Sequence, residues 1–221
     1  LNVTADGSAG PNLFVASDGQ VGIGTSSPGA LLEVHDDDVS GGNATIRLNQ
    51  SSGVDSVWEL RTGDLVPTSG GNGFGIYSDT PGSEGLKLVI KPGGQVGIGT
   101  ASPSESLTLQ SGTSGQPRIF LNNSNADASD AHIKFGKYSS SPADDDDLGT
   151  IAFLGHDSGG AELTYALMTA EASDVSDTTE DSRIFFQTRN AGSLDDTLAL
   201  VSGKVGIGNA TPASKLVIDN P

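Results

Sequence analysis

The chain has 221 residues, of which 34% are hydrophobic, 5% aromatic and 31 are glycine. That is thin material for one globular core and suits short strands separated by turns, stabilised in part by neighbouring chains. A net charge of −17, from 28 acidic and 11 basic residues, disfavours nucleic acid and anionic membrane surfaces, both of which need Lys/Arg-rich faces. The absence of cysteine removes disulfides and thiolate metal sites. No run approaches the roughly 18 apolar residues of a membrane helix, and no basic, apolar signal peptide is present.

In chain order, "PNLFVASDG" reads as the tail of a unit that begins upstream. It leads into "GQVGIGTSSPGALLEV", Gly19 to Val34. The phrase returns as "GQVGIGTASPSESLTL" (Gly94 to Leu109) and as "GKVGIGNATPASKLVI" (Gly203 to Ile218). The shared pattern is G-x-V-G-I-G-x-x-x-P-x-x-x-L, and such repetition is the strongest organisational feature of the chain. Its fixed points are Val21, Gly22, Ile23, Gly24, Pro28 and Leu32 in the first copy. In the second they are Val96, Gly97, Ile98, Gly99, Pro103 and Leu107, and in the third Val205, Gly206, Ile207, Gly208, Pro212 and Leu216.

"VGIG" has the period of two expected of a strand, with Val and Ile on one face and glycines on the other. Glycine weakens a strand, so its regular use marks a place where another group comes very close. The proline-bearing turn bars a helix and leads into a second alternating strand. A dinucleotide loop needs a third glycine at a strand-to-helix turn, and a P-loop needs Gly-Lys-Ser/Thr. Neither is present, so the glycines are read as structural and no cofactor is expected.

Between the motifs the strands correspond in two series. "ATIRLNQ" (44–50) matches "PRIFLNN" (117–123), and "SVWELRTG" (56–63) matches "AHIKFGKY" (131–138). "GFGIYSDT" (73–80) matches "RIFFQTRN" (183–190), and "LKLVI" (86–90) matches "TLALV" (197–201). The second series has additional strands, "GTIAFLGHD" (149–157) and "AELTYALMTA" (161–170). The latter contains good helix formers but alternates at Leu163, Tyr165 and Leu167. It is read as a strand, with a short helix as the alternative. The resulting division is 1–28, the end of an upstream repeat with the first motif; 29–103, one repeat unit; 104–212, a second unit with extra strands at about 149–170; and 213–221, the start of another. Leu1 and the abrupt end after "KLVID" lead us to expect a piece of a longer polypeptide.

With the repeat aligned, the sequence resembles the shaft and spike regions of bacteriophage tail fibres and related trimeric surface fibres. In these, "G.VGIGT..P...L.V" modules recur, often upstream of a self-cleaving intramolecular chaperone domain. The resemblance rests on all three motifs and the "I.L.N" and "I.F" strands, and so covers nearly the whole chain. It implies an all-β, elongated, intertwined parallel homotrimer, a prism or triple β-helix-like shaft with small sandwich-like modules. Val and Ile of the motif would face the trimer interior, with the glycines where chains cross. It further implies a virion-surface structural protein that presents a receptor-binding region. Its partners would be itself, other fibre proteins and a cell-surface glycan or protein. A bacterial extracellular filament or adhesin stalk is the alternative. No chaperone domain is visible, so no cleavage residue is carried over. Asn209 and Lys204 replace the Thr and Gln of the other copies.

Other candidates have plainer readings. Asp144 to Asp147 and Asp36 to Asp38 could attract calcium, yet uninterrupted carboxylate runs repel one another and read as solvated loops. His35, His132 and His156 lack the spacing of metal ligands. No nucleophile elbow occurs, and no carboxylate pair for glycan hydrolysis can be singled out, so no catalytic residue is assigned. Trp58 alternates within a strand and reads as packing rather than sugar stacking. Asn2, Asn43, Asn49, Asn122 and Asn209 head N-x-Ser/Thr sequons, which a chain rich in Ser and Thr produces easily.

Overall fold

The computed structural model describes residues 2–3, 13–36, 43–50, 56–64, 72–79 and 84–219. Among them every regular element is a strand, so the all-β class is established. The strands are β1 (Asn2–Val3), β2 (Leu13–Val15), β3 (Val21–Ile23), β4 (Leu32–Val34), β5 (Asn43–Gln50), β6 (Ser56–Asp64), β7 (Asn72–Ser78) and β8 (Gly85–Ile90). They continue with β9 (Val96–Ile98), β10 (Leu107–Leu109), β11 (Asp146–His156), β12 (Glu162–Asp174), β13 (Asp181–Asn190), β14 (Ser193–Val201), β15 (Lys204–Ile207) and β16 (Leu216–Ile218). "AELTYALMTA" is therefore strand, within β12.

Three sheets follow chain order: β1 to β4, β5 to β10, and β11 to β16. Each is an antiparallel meander closed by one parallel strand, with β3 beside β4, β9 beside β10 and β15 beside β16. The chain divides into two compact units, Leu1–Phe120 with the first two sheets and Leu121–Pro221 with the third.

Local chemistry sets the turns. Asn190 pairs with Ser193 across Ala191 and Gly192, both at positive φ (45° and 94°). Val201 pairs with Lys204 across Ser202 and Gly203, at 46° and 76°. Two left-handed residues in a two-residue loop give the turn whose twist matches the flanking strands. Between β11 and β12, Asp157 Oδ1 accepts the N–H groups of Gly159 (2.8 Å) and Ala161 (2.9 Å).

A globular domain normally packs two layers over one core. Here, among the described residues, the two sheets of the first unit meet mainly where β4 leads into β5, and the second unit has one sheet. Among the described residues the buried hydrophobic ones are accordingly few: Val57, Val89 and Ala199.

The expected strands over 117–123 and 131–138 are not formed. In the first unit the matching sequences are β5 and β6, paired with one another. In the second, β11 and β12 hold the equivalent positions beside β13, and the sheet is already six strands wide. Alternation gave these runs the capacity for strand, but no described strand edge pairs with them.

Candidate functional site

Two features distinguish the molecule: a corner built by each glycine motif, and an apolar sheet face that the corner completes. In the corner, parallel strands are joined by residues 24–31, 99–106 or 208–215 alone. Parallel neighbours ordinarily need a crossover of a dozen residues or more, so this connection needs special backbone. Gly24, Gly99 and Gly208 supply it, with φ of +80°, +74° and +67°. The N–H of Val21 donates to the Leu31 carbonyl, and that of His35 to the Ile23 carbonyl, both at 2.8 Å. Val96 and Gln110 repeat this with Ser106 and Ile98, and Val205 and Asp219 with Lys215 and Ile207.

The other glycine has a different reason. A Cβ on Gly22 would lie 2.3 Å from the Thr25 carbonyl oxygen; on Gly97, 2.5 Å from that of Thr100; on Gly206, 2.0 Å from that of Asn209. The turn after each motif thus tucks its own carbonyl against the strand before it. These neighbours come from the same chain. All three glycines are buried, as are Pro28, Pro103 and Pro212. Thr25 Oγ1 accepts the Ser27 N–H at 3.2 Å, and Thr100 Oγ1 accepts that of Ser102 at 3.2 Å. Asn209 Oδ1 does the same for Thr211 at 2.8 Å, which explains why the third copy tolerates Asn.

Register then reveals the face. Cross-strand partners share a face of a sheet, and one row in the second sheet reads Ile46, Leu60, Ile76, Leu88, Ile98, Leu109 across all six strands. In the third sheet the equivalent row reads Ile151, Met168, Phe186, Leu198, Ile207, Ile218. In the first sheet Ile23 lies beside Val34, and Val21 between Val15 and Leu32. These rows are partly open to solvent: Ile46, Leu60, Ile98, Ile151, Ile207 and Ile218 are exposed, whereas Ile76, Leu88, Leu109, Met168, Phe186 and Leu198 are half-buried. Ile23, Ile98 and Ile207 are 43%, 44% and 42% exposed, and Leu32, Leu107 and Leu216 are exposed too. Val21, Val96 and Val205 are half-buried. Trp58 lies beside Leu48 on the same face and is likewise exposed.

The opposite face carries the buried residues. Gly97 faces Val89 and Gly206 faces Ala199. Each unit also buries one glutamate there. Glu59 is bound by Arg61, with Nε to Oε2 at 2.6 Å, and approached by Arg47 Nε at 3.4 Å. Arg61 in turn stacks over Tyr77. Glu171 is bound by Arg183, which also reaches Asp145 at 2.6 Å. The Glu171 carboxylate, with burial opposing it, holds the Arg183 guanidinium above its ordinary pKa. Nothing in the sequence separated these two glutamates from the other acidic residues.

The aspartate run does structural work residue by residue. Asp144 Oδ1 accepts the Val175 N–H at 3.0 Å, Asp145 pairs with Arg183, and Asp146 pairs with Lys137 and accepts the Ala143 N–H. Asp37 and Asp38 lie outside the described residues. Among the described residues no group of three His, Asp or Glu is placed to hold a metal. His35 sits near Glu33 (3.6 Å) and His132 near Asp130 (3.4 Å). The backbone carbonyl of His156 accepts the Tyr165 hydroxyl at 3.2 Å. No family model and no curated protein matches this chain.

Proposed function

We propose that the chain is a non-enzymatic structural segment of a bacteriophage tail or head fibre, exposed on the virion. Its copies associate as an intertwined homotrimer through their apolar sheet faces and hold a receptor-binding region away from the particle. The observation that carries this reading is the pair of six-strand apolar rows left partly open to solvent. Covering what remains open of each side chain contributes about 25 cal/mol per Å² of apolar surface, and a row from each of three copies supplies a core that no copy has alone. Around a threefold axis such rows meet in layers, while the acidic remainder of each chain faces outward. The fibre assignment itself comes from the resemblance of the "VGIGT..P" modules, and a bacterial surface filament built from them would use the same face. Sedimentation of the full chain at micromolar concentration tests the assembly, with a trimer expected. A folded monomer by circular dichroism and sedimentation would overturn it.

A further inference from the structure

The run from Pro117 to Tyr138 has a strand's sequence and no strand's partner. Among the described residues none of its backbone groups pairs with another backbone group. Its apolar side chains stand in solvent: Ile119, Phe120, Leu121, Ile133 and Phe135 are all exposed, and Tyr138 is 98% exposed. Between the two halves the turn is nonetheless built. Asn123 Nδ2 donates to the Ser129 carbonyl at 3.1 Å, and Asp127 Oδ1 accepts the Ser129 N–H at 2.9 Å. A shaped turn thus connects two open arms.

We propose that this run is an exchanged arm, which adds as β-strand to the outer edge of β11 in a second copy of this chain. β11 is the terminal strand of its sheet and presents Ile151 and Phe153 beside an edge with no described partner. Unpaired edges of this kind are templates for strand addition. The home chain does not use it so. Its own Phe135 packs over Gly149, where a Cβ would lie 2.5 Å from Phe135 Cβ, whereas paired strands hold facing Cβ atoms about 4.5–5.5 Å apart. That is side-chain cover at one end of β11, not a ladder.

Charge favours a copy of this chain as the partner. Arg118, Lys134 and Lys137 against Asp127 and Asp130 make the arm +1 in a chain of −17. The acidic Asp144–Asp147 run leads into β11, and the Lys137–Asp146 pair shows the two chemistries meeting. Lys134 and Asp147 have no ion pair among the described residues. The arm has about the 20–30 residues that each side of a stable interface contributes. One donor arm and one acceptor edge per copy also let the exchange close into a ring with neither left over.

The proposal rests on the assembly of copies described above, not on the particle that carries them. Its test is amide hydrogen exchange on the full chain under assembled conditions. Amides in 119–123 and 131–137 should exchange at least about a thousand-fold more slowly than in a free peptide. Leu121→Pro, which removes one N–H donor, should abolish that protection while the β12–β14 amides stay slow. A chain carrying Ile133→Cys, refolded with a second carrying Phe153→Cys and treated with a short bis-maleimide, should yield a cross-linked pair. Fast exchange of the arm within a stable assembly overturns the exchange and leaves the assembly intact. Slow exchange with cross-links forming only when both cysteines share one chain assigns the arm to its own edge and also overturns it. A monomer at all concentrations sinks both readings together.

Discussion

The sheet of β5 to β10 and the sheet of β11 to β16 solve one problem with different outer strands. Both are six strands wide, both end in the glycine corner, and both bury a glutamate beside arginine on the face opposite the apolar row. Their outer pairs differ. β5 and β6 have 8 and 9 residues, and β11 and β12 have 11 and 13. The runs most like β5 and β6, 117–123 and 131–138, are excluded from the sheet of β11 to β16 altogether. The comparison teaches that the closing corner is what the two sheets hold in common, whereas the outer strands are replaceable. A strand-like run becomes strand only where an edge pairs with it.

The largest effect should come from valine at the buried motif glycine. Gly97→Val and Gly206→Val each drive a side chain into a backbone carbonyl that has nowhere to go. We expect a loss of about 3 kcal/mol or more for each, read as a fall in melting temperature. If one sheet tolerates the change and the other does not, the corners are not equivalent.

Next come Ile98→Ala and Ile207→Ala, at matching places in the two apolar rows. In assembled protein each should cost about 2–4 kcal/mol per chain, as for a packed core. In chains diluted below assembly the cost should be under about 1 kcal/mol, because both residues are already exposed. Unfolding followed across a dilution series checks this. Equal costs at all concentrations would mean that the face is never covered.

A smaller difference separates Gly99→Ala from Gly208→Ala. Both force a side chain into left-handed backbone, at about 1–2 kcal/mol. At Gly99 the added Cβ also lies 2.1 Å from the Gln110 carbonyl oxygen, against 3.2 Å from that of Asp219 at Gly208. Denaturant titration should rank Gly99→Ala as the worse.

The smallest effect concerns pH and is confined to the second unit. Asp146 is held below the usual carboxylate range, first by its hydrogen bond from Lys137 and then by the Ala143 N–H. Its folded pKa is depressed, so its contribution is complete above the unfolded value. It is lost as pH falls through the folded one, from about pH 4 downward. Asp146→Asn should flatten the acid limb of a stability profile slightly. An unchanged limb would show that the pair does nothing in solution.

Much of this fold was legible in the sequence. Alternation at Ile46 and Leu48 found a real strand, because apolar side chains of period two fit a half-covered sheet, and the matched runs 86–90 and 197–201 are strands too. The motif's glycines announced a close approach, but not that the neighbour is the carbonyl of the turn three residues on. Nor did residues 24–31 look long enough to join parallel strands, since the trick lies in backbone angles. Ile119, Leu121, Ile133 and Phe135 misled because pattern reports what a segment can fit, not which edge it meets. The apolar rows themselves needed register, which alternation in single strands does not supply.

The parallel pair of each glycine corner is closed by bonds within its own phrase or to the residue just after it, and that bears on how such a gene changes. The three phrases begin 75 and then 109 residues apart, and the parallel pairing is the same in each. An insertion between two corners therefore leaves the geometry of both untouched, and a recombination break in the Ser/Thr-Pro turn joins whole modules. Lineages carrying this phrase can vary the length and contents of what lies between corners while inheriting the hinge-work unchanged.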